Sequence, residues 1–348
     1  MKKIRYYDLL RIISFCFIIF YHMMIQLQIS GIYPPEKVSR FFMNDNMHIA
    51  TLAVAVFFML SGACLAYTTK DNFSIKEFYK KRFLKTLIPF YMVSLAYYVF
   101  KAISYHSLVN MYANKIPAWR IIYTLLGLDG WIDMHYIPTF TLGVGEWFLG
   151  ALLILYLVFP LLRYLMTKYK VLFLCIATCI YIYVAYNYTS VVPIHMNLIL
   201  KGYEFILGMY LGSYLNSVHS KWMVLSVPVV VFFFTSNTAL NCNTALKITI
   251  LALAFFISFS YLENILCKWK LKGLDLLSGL SYELFLVHHI VIYEITPRTS
   301  EYVTSKLSVL VLFIVQLLLM VILALLLKWI SSKLIQLILK KRKCKTQN

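Results

Sequence analysis

An all-α polytopic membrane protein is the fold class that this sequence predicts, and three observations predict it. Of its 348 residues 61% are hydrophobic and only 14% charged, a balance that a soluble core of this size does not absorb. The apolar residues fall in runs of about 17 to 25, the length that crosses a bilayer core as a helix. The runs also lack the dyad alternation of a lipid-facing barrel, so each has to satisfy its backbone internally, as a helix.

Ten such runs are expected as transmembrane helices, near residues 9–29, 47–67, 86–106, 145–165, 170–188, 197–215, 222–236, 244–262, 276–295 and 304–335, the seventh short and the last long. With the N-terminus inside, most of the 33 lysines and arginines fall on inner segments: Lys2, Lys3, Arg5 and Arg11, the cluster from Lys70 to Lys85, Arg163 to Lys170, Lys268 to Lys272 and the tail. The positive-inside rule then places both termini in the cytoplasm. A net charge of +19 spread in this way reads as topology and not as a nucleic-acid surface. The basic tail at about 336–348 is expected to contact lipid headgroups. Seven cysteines with no CxxC give neither a disulfide framework nor a metal knuckle. The basic start is not followed by a small-x-small cleavage site, so the first run reads as a retained helix. One domain, 1–348, is expected in the plasma membrane, with no further domain fused to it.

The first run, YYDLLRIISFCFIIFYHMM at 6–24, carries Asp8, Arg11 and His22. Ionisable groups in a membrane-length run are functional suspects. At about 100° per residue Arg11 and His22 lie within about 20° of one another on one face, and Asp8 about 40° away. A rise of about 1.5 Å per residue sets His22 roughly 16 Å deeper than Arg11. The bland alternative is an interfacial Asp8–Arg11 anchor and a hydrogen-bonded core histidine.

Between the third and fourth runs the long loop at 107–144 is expected outside. Its tryptophans fit interfacial anchoring, and its Asp129, Asp133 and His135 leave open a lid or acceptor platform over an outward opening. In the ninth run Tyr282 and His289 face nearly alike, with Glu283 and His288 close to that stripe. Glu283, near mid-membrane, is expected to pair with a histidine or arginine of another helix. Neighbouring histidines on a helix point about 100° apart, and no third ligand is spaced to join His288 and His289, so no metal site is expected. Ser61 and Gly62 read as a close helix contact.

Arg11, ten intervening residues and His22 resemble the opening of the membrane acyltransferase-3 family. Four more elements follow in order: FFMLSGACLAY at 57–67, KKRFLKTLIPFY at 80–91, GEWFLGALLILYLVFPLL at 145–162 and GLSYELFLVHH at 279–289. The resemblance covers nearly the whole chain. It departs at Lys85, where the family usually has arginine, and at Phe285, where it usually has tyrosine. The resemblance implies a bacterial integral-membrane O-acyltransferase that moves an acyl group, most simply acetyl, from cytosolic acyl-CoA to a hydroxyl of a surface polysaccharide or its lipid-linked precursor.

The physical requirements of that chemistry match residues here. A CoA donor is a polyanion and needs cations at the inner face, for which Arg82 and Lys85, with Arg11 at the channel mouth, are the candidates. His22, with Arg11, is the candidate catalytic group, a base for the acceptor hydroxyl or a transient acyl carrier. Glu146 and Trp147 at the outer start of the fourth run, and Tyr282, Glu283, His288 and Asp8, are candidates for substrate contact. The alternative class is a transporter of a glycan or lipid-linked sugar, for which spans and intramembrane charges are equally expected; it has no need of the phosphate site.

Overall fold

The computed structural model describes residues 3–31, 43–44, 47–71, 73–104, 116–214, 221–236, 240–269 and 271–345. The first part of the expected outer loop, 105–115, and the last three residues of the basic tail lie outside these. Every apolar run forms a helix: α1 (Arg5–Ile29), α2 (Ile49–Thr68), α3 (Ile75–Ser104), α6 (Glu146–Lys168), α7 (Lys170–Asn187), α8 (Leu198–Tyr214), α9 (Lys221–Thr235), α10 (Thr244–Ser260), α13 (Ser281–Thr299) and α14 (Lys306–Lys345). Short helices α4 (Ile121–Leu126), α5 (Asp129–Asp133), α11 (Glu263–Leu266) and α12 (Lys272–Gly279) lie between them. The strands among the described residues are one two-residue antiparallel pair, Met43–Asn44 with Met47–His48.

Among the described residues seven helices are long and apolar enough to cross a membrane: α1, α2, α3, α6, α7, α10 continued to Leu266, and α14. The run expected as one straight span at 276–295 is instead broken, α12 and α13 meeting at a bend of 66°, and together they make an eighth. Helices α8 and α9, at 17 and 15 residues, are shorter than these seven. Much of the apolar surface faces outward: on α7 Val171 is 72% exposed and Tyr183 69%. So continuous an apolar surface is expected against lipid and not against water.

Residues Met1–Phe73 and Val158–Gly279 form one compact unit. Its densest seam is α2 against α8. A β-carbon on Gly62 would stand 2.0 Å from the Phe205 carbonyl oxygen, one on Gly208 1.9 Å from that of Met59, and one on Gly212 2.3 Å from that of Ala63. Backbones this close need glycine, the small-residue packing that replaces the hydrophobic drive inside a membrane. Helix α1 packs on α2 and α12, burying Leu10 with Leu52, Met59 and Phe256. Deep in the same unit, Lys201 Nζ donates to both carboxylate oxygens of Glu204 at 2.8 Å. The Thr249 hydroxyl donates to Glu204 at 3.2 Å and accepts from Tyr181 at 2.8 Å, tying α8, α10 and α7.

Residues Ser74–Leu157 and Leu280–Asn348 form the second unit, in which α3, α13 and α14 pack on one another. Pro89 inside α3 supplies no N–H to the preceding turn, and beside it the Tyr282 hydroxyl donates to the Thr86 carbonyl at 2.6 Å. At the other end of these helices Glu294 gathers Tyr97 at 2.7 Å, Lys101 at 2.5 Å and Arg298 at 2.6 Å. The Gln316 amide donates to Thr296 at 2.8 Å, joining α14 to α13 where both side chains are fully buried.

Candidate functional site

In the first unit α1 is unbroken from Arg5 to Ile29, so Arg11 and His22 share one rigid element. The Arg11 guanidinium is held on three sides: Nη1 donates to Asp8 at 3.3 Å and to the Ser278 hydroxyl at 2.9 Å, and Nη2 lies 3.4 Å from the Cys64 sulfur. Asp8 is 5% exposed. One of its oxygens takes Arg11 and Ser278, the other Lys3 at 3.0 Å. Asp8 thus helps to hold Arg11. Asp275 takes Lys3 and Arg5. Glu263 also reaches this end of the helix, accepting from the Tyr6 N–H at 3.0 Å, so Lys3, Arg5 and Arg11 stand among three carboxylates. Further along α1, His22 is half-buried, its ring edge-on to Tyr21 with centroids 5.2 Å apart.

In the second unit the two expected phosphate ligands differ in setting. The Arg82 guanidinium lies 5.5 Å from the centre of the Tyr156 ring, while Lys85, one turn on, is exposed. Glu146 ends 2.7 Å from Nδ1 of His289, a ring 2% exposed. His288 Nδ1 donates to the Phe285 carbonyl at 2.6 Å, because a carbonyl can only accept, and that leaves Nε2 as the basic nitrogen. Tyr282, expected at the substrate, spends its hydroxyl on Thr86. Glu283 is buried and feels the charge of Lys328 on α14, where a histidine or arginine had been expected. Phe285, the departure from the family's tyrosine, sits in an aromatic cluster 5.1 Å from Phe148, which is in turn 6.4 Å from Trp147.

The segment at 116–144 of this unit has two different sides. Trp119, Ile121, Ile122, Leu125 and Leu126 expose an apolar face, as a membrane-hugging segment does. The opposite side is packed. Gly127 caps α4 in the left-handed region, and its neighbour Leu128 donates back to the Tyr123 carbonyl at 2.8 Å. Asp129, 3% exposed, helps line a small cavity of about 10 Å³ with Phe90, Ser94, Tyr98, Thr124 and Val144. Burial pushes its carboxyl up to about 6, against the Thr124 hydroxyl, which holds it down.

Ser278, Cys64 and His289 were not expected as partners. Ser278 and Cys64 are far from Arg11 in sequence, and Glu146 is far from His289. Only the doubled histidine marked the last of these in advance. Lys201 and Glu204 were missed although they carry the same signal as Asp8 and Arg11, two opposite charges three apart in an apolar run.

The arrangement is that of a polytopic helical membrane protein with a clamped arginine and a histidine on one helix. The Acyltransferase domain family model matches residues 4–333, and the chain belongs to that acyltransferase family. It is similar to the acyltransferase MdmB of Streptomyces mycarofaciens, 32% identical over 131 residues, which is 36% of this chain and 32% of that one. The matched region thus spans about a third of the length of that relative. No solved structure matches.

Proposed function

We propose that this protein is an O-acyltransferase of the bacterial plasma membrane, moving an acetyl group from cytosolic acetyl-CoA to a hydroxyl of a surface polysaccharide or its lipid-linked precursor. The observation that carries the reading is Arg11, clamped by Asp8, Ser278 and Cys64 at one end of α1, with His22 eleven residues along the same unbroken helix. Membership of an acyltransferase family supports it. A carrier of neutral sugars has no use for a fixed guanidinium at that depth. Arg11, Arg82 and Lys85 take the donor's phosphates. His22 is the reacting imidazole, as base or as acyl carrier. The acceptor comes to the outer side, over α4 and α5. Mass analysis of surface polysaccharide from cells with and without the gene tests the reading. Loss of acyl esters is expected, and an unchanged ester content overturns it.

If Arg82 holds a phosphate equally in the ground and transition states, its loss raises the KM for acyl-CoA and leaves kcat unchanged. One lost charged hydrogen bond costs about 1.5–3 kcal/mol, roughly tenfold to a hundredfold in affinity. Arg82→Gln is expected to show this at low salt. Lys85→Gln has less to lose, since Lys85 is exposed, and Lys85→Arg is expected to be tolerated. Unaltered CoA saturation in Arg82→Gln removes Arg82 from the donor site.

The reading further requires both termini inside. Tyr136 and Asp71 are exposed in the described residues. In a background without native cysteines, Tyr136→Cys is expected to react with an impermeant maleimide in intact cells and Asp71→Cys only after lysis. The reverse pattern places the donor cations on the wrong side of the membrane.

A further inference from the structure

Asp129 is a buried carboxyl to which the reading above gives no task. The backbone on either side of it is fixed. Gly127 turns the chain from α4 into α5 at φ +69°, the Asp129 carbonyl accepts from the Thr139 hydroxyl at 3.3 Å, and a β-carbon on Gly130 would stand 2.3 Å from the Glu146 carbonyl carbon. The side chain is thereby set into the wall of the cavity of about 10 Å³, which has room for one oxygen-sized group. Thr124 lies in the same wall, near enough for its hydroxyl to steady the carboxylate charge. Among the described residues, however, neither Asp129 Oδ1 nor the Thr124 hydroxyl has a hydrogen-bond partner, and both atoms are buried. Two other polar groups of the wall are engaged: the Tyr98 hydroxyl donates to the Phe140 carbonyl, and the Thr141 hydroxyl accepts from the Gly143 N–H at 3.2 Å. A buried polar atom left unpaired costs stability, and few persist in a fold without a reason.

A hydroxyl group answers both atoms, because it donates and accepts through one oxygen. Its proton goes to Asp129 Oδ1 and its lone pair takes the Thr124 O–H. A hard metal cation asks for roughly six to eight oxygens, whereas Phe90, Leu142 and Val144 make part of this wall apolar, as suits the carbon that carries a hydroxyl. We propose that Asp129, with Thr124, binds one hydroxyl of the acceptor sugar without reacting with it. The proposal rests on the acyltransferase reading, which brings the acceptor to this side, and adds the residues that select it. A sugar without that hydroxyl leaves the carboxylate buried and unpaired, which is the arrangement that rejects an analogue most strongly.

The assay uses membrane fragments holding the full-length protein, labelled acetyl-CoA as donor and, as acceptor, surface polysaccharide extracted from cells without the gene. A contact held equally in the bound state and the transition state shows in KM and not in kcat. Asp129→Asn, which keeps the shape and removes the charge, is expected to raise the KM for the polysaccharide about tenfold or more. Thr124→Val, which removes only the hydroxyl, is expected to raise it about threefold to tenfold. In both variants kcat and the KM for acetyl-CoA are expected to stay within about twofold of wild type. A structural role predicts otherwise, so thermal unfolding in detergent is measured alongside, and Asp129→Asn is expected to unfold no earlier than wild type. An unchanged KM for the polysaccharide in both variants means that the cavity takes a water only and overturns the proposal. So does a fall in kcat at unchanged KM, or a loss of thermal stability in both variants, and each of these leaves the acyltransferase reading standing. Wild-type membranes that leave the polysaccharide unlabelled sink the acceptor reading and the proposal with it.

Discussion

Acyl transfer falls by roughly 10²-fold or more in a stably inserted His22→Ala protein, the loss expected when a reacting imidazole is removed. His22 is half-buried beside Tyr21 on an outer turn of α1, while the helix is held mainly through Tyr6, Leu10, Ile19, Met23 and Leu27, all buried. Alanine is also a better helix former than histidine. The variant should therefore insert and run in detergent as wild type does. Arg11→Lys is the informative companion. It keeps the charge and loses the fork that spans Asp8 and Ser278, so it should lower donor affinity more than turnover. Wild-type acylation by the His22→Ala protein ends its assignment as the reacting group.

What was legible in the sequence follows from the range of the interaction that sets each feature. Apolar run length is local, and the expected runs are helical, the ninth in two pieces. The Asp8–Arg11 contact is one helical turn long and was visible as spacing. Gly62 as a close contact was visible too, although Gly208 and Gly212 on the same seam were not. What fixes Arg11 from the other side is Ser278, and no pattern ties it to residue 11 before the chain has folded. The same holds for the approach of Glu146 to His289. The bend between α12 and α13 was hidden because only Ser278, Gly279 and Ser281 interrupt the apolar run there; composition sees a span, and only the backbone shows that it is broken. Phe285 is a case in which the departure from the family explains itself: an aromatic neighbourhood of Phe148, Tyr282 and His288 makes no use of a hydroxyl.

The Lys201–Glu204 pair carries the largest expected effect on stability. Both side chains are 2% exposed, and the ammonium reaches both carboxylate oxygens. Burying such a pair adds little net stability, but removing one partner strands the other charge and costs about 3–5 kcal/mol. Lys201→Met is therefore expected to lower the thermal unfolding temperature sharply in detergent, or to abolish accumulation in the membrane. The double variant Lys201→Met with Glu204→Gln keeps an acceptor for Thr249 and leaves no charge behind, so it should regain most of that loss. Additive destabilisation in the double variant would mean that the two side chains do not act as a pair. The same protein decides a second question, because intramembrane charges are functional suspects by default. The pair ties α8 to α10 and, through Thr249 and Tyr181, to α7, which is a sufficient reason for it within the fold. Acyl transfer should then survive in the double variant; a stable but inactive protein would move Lys201 and Glu204 from the fold to the reaction.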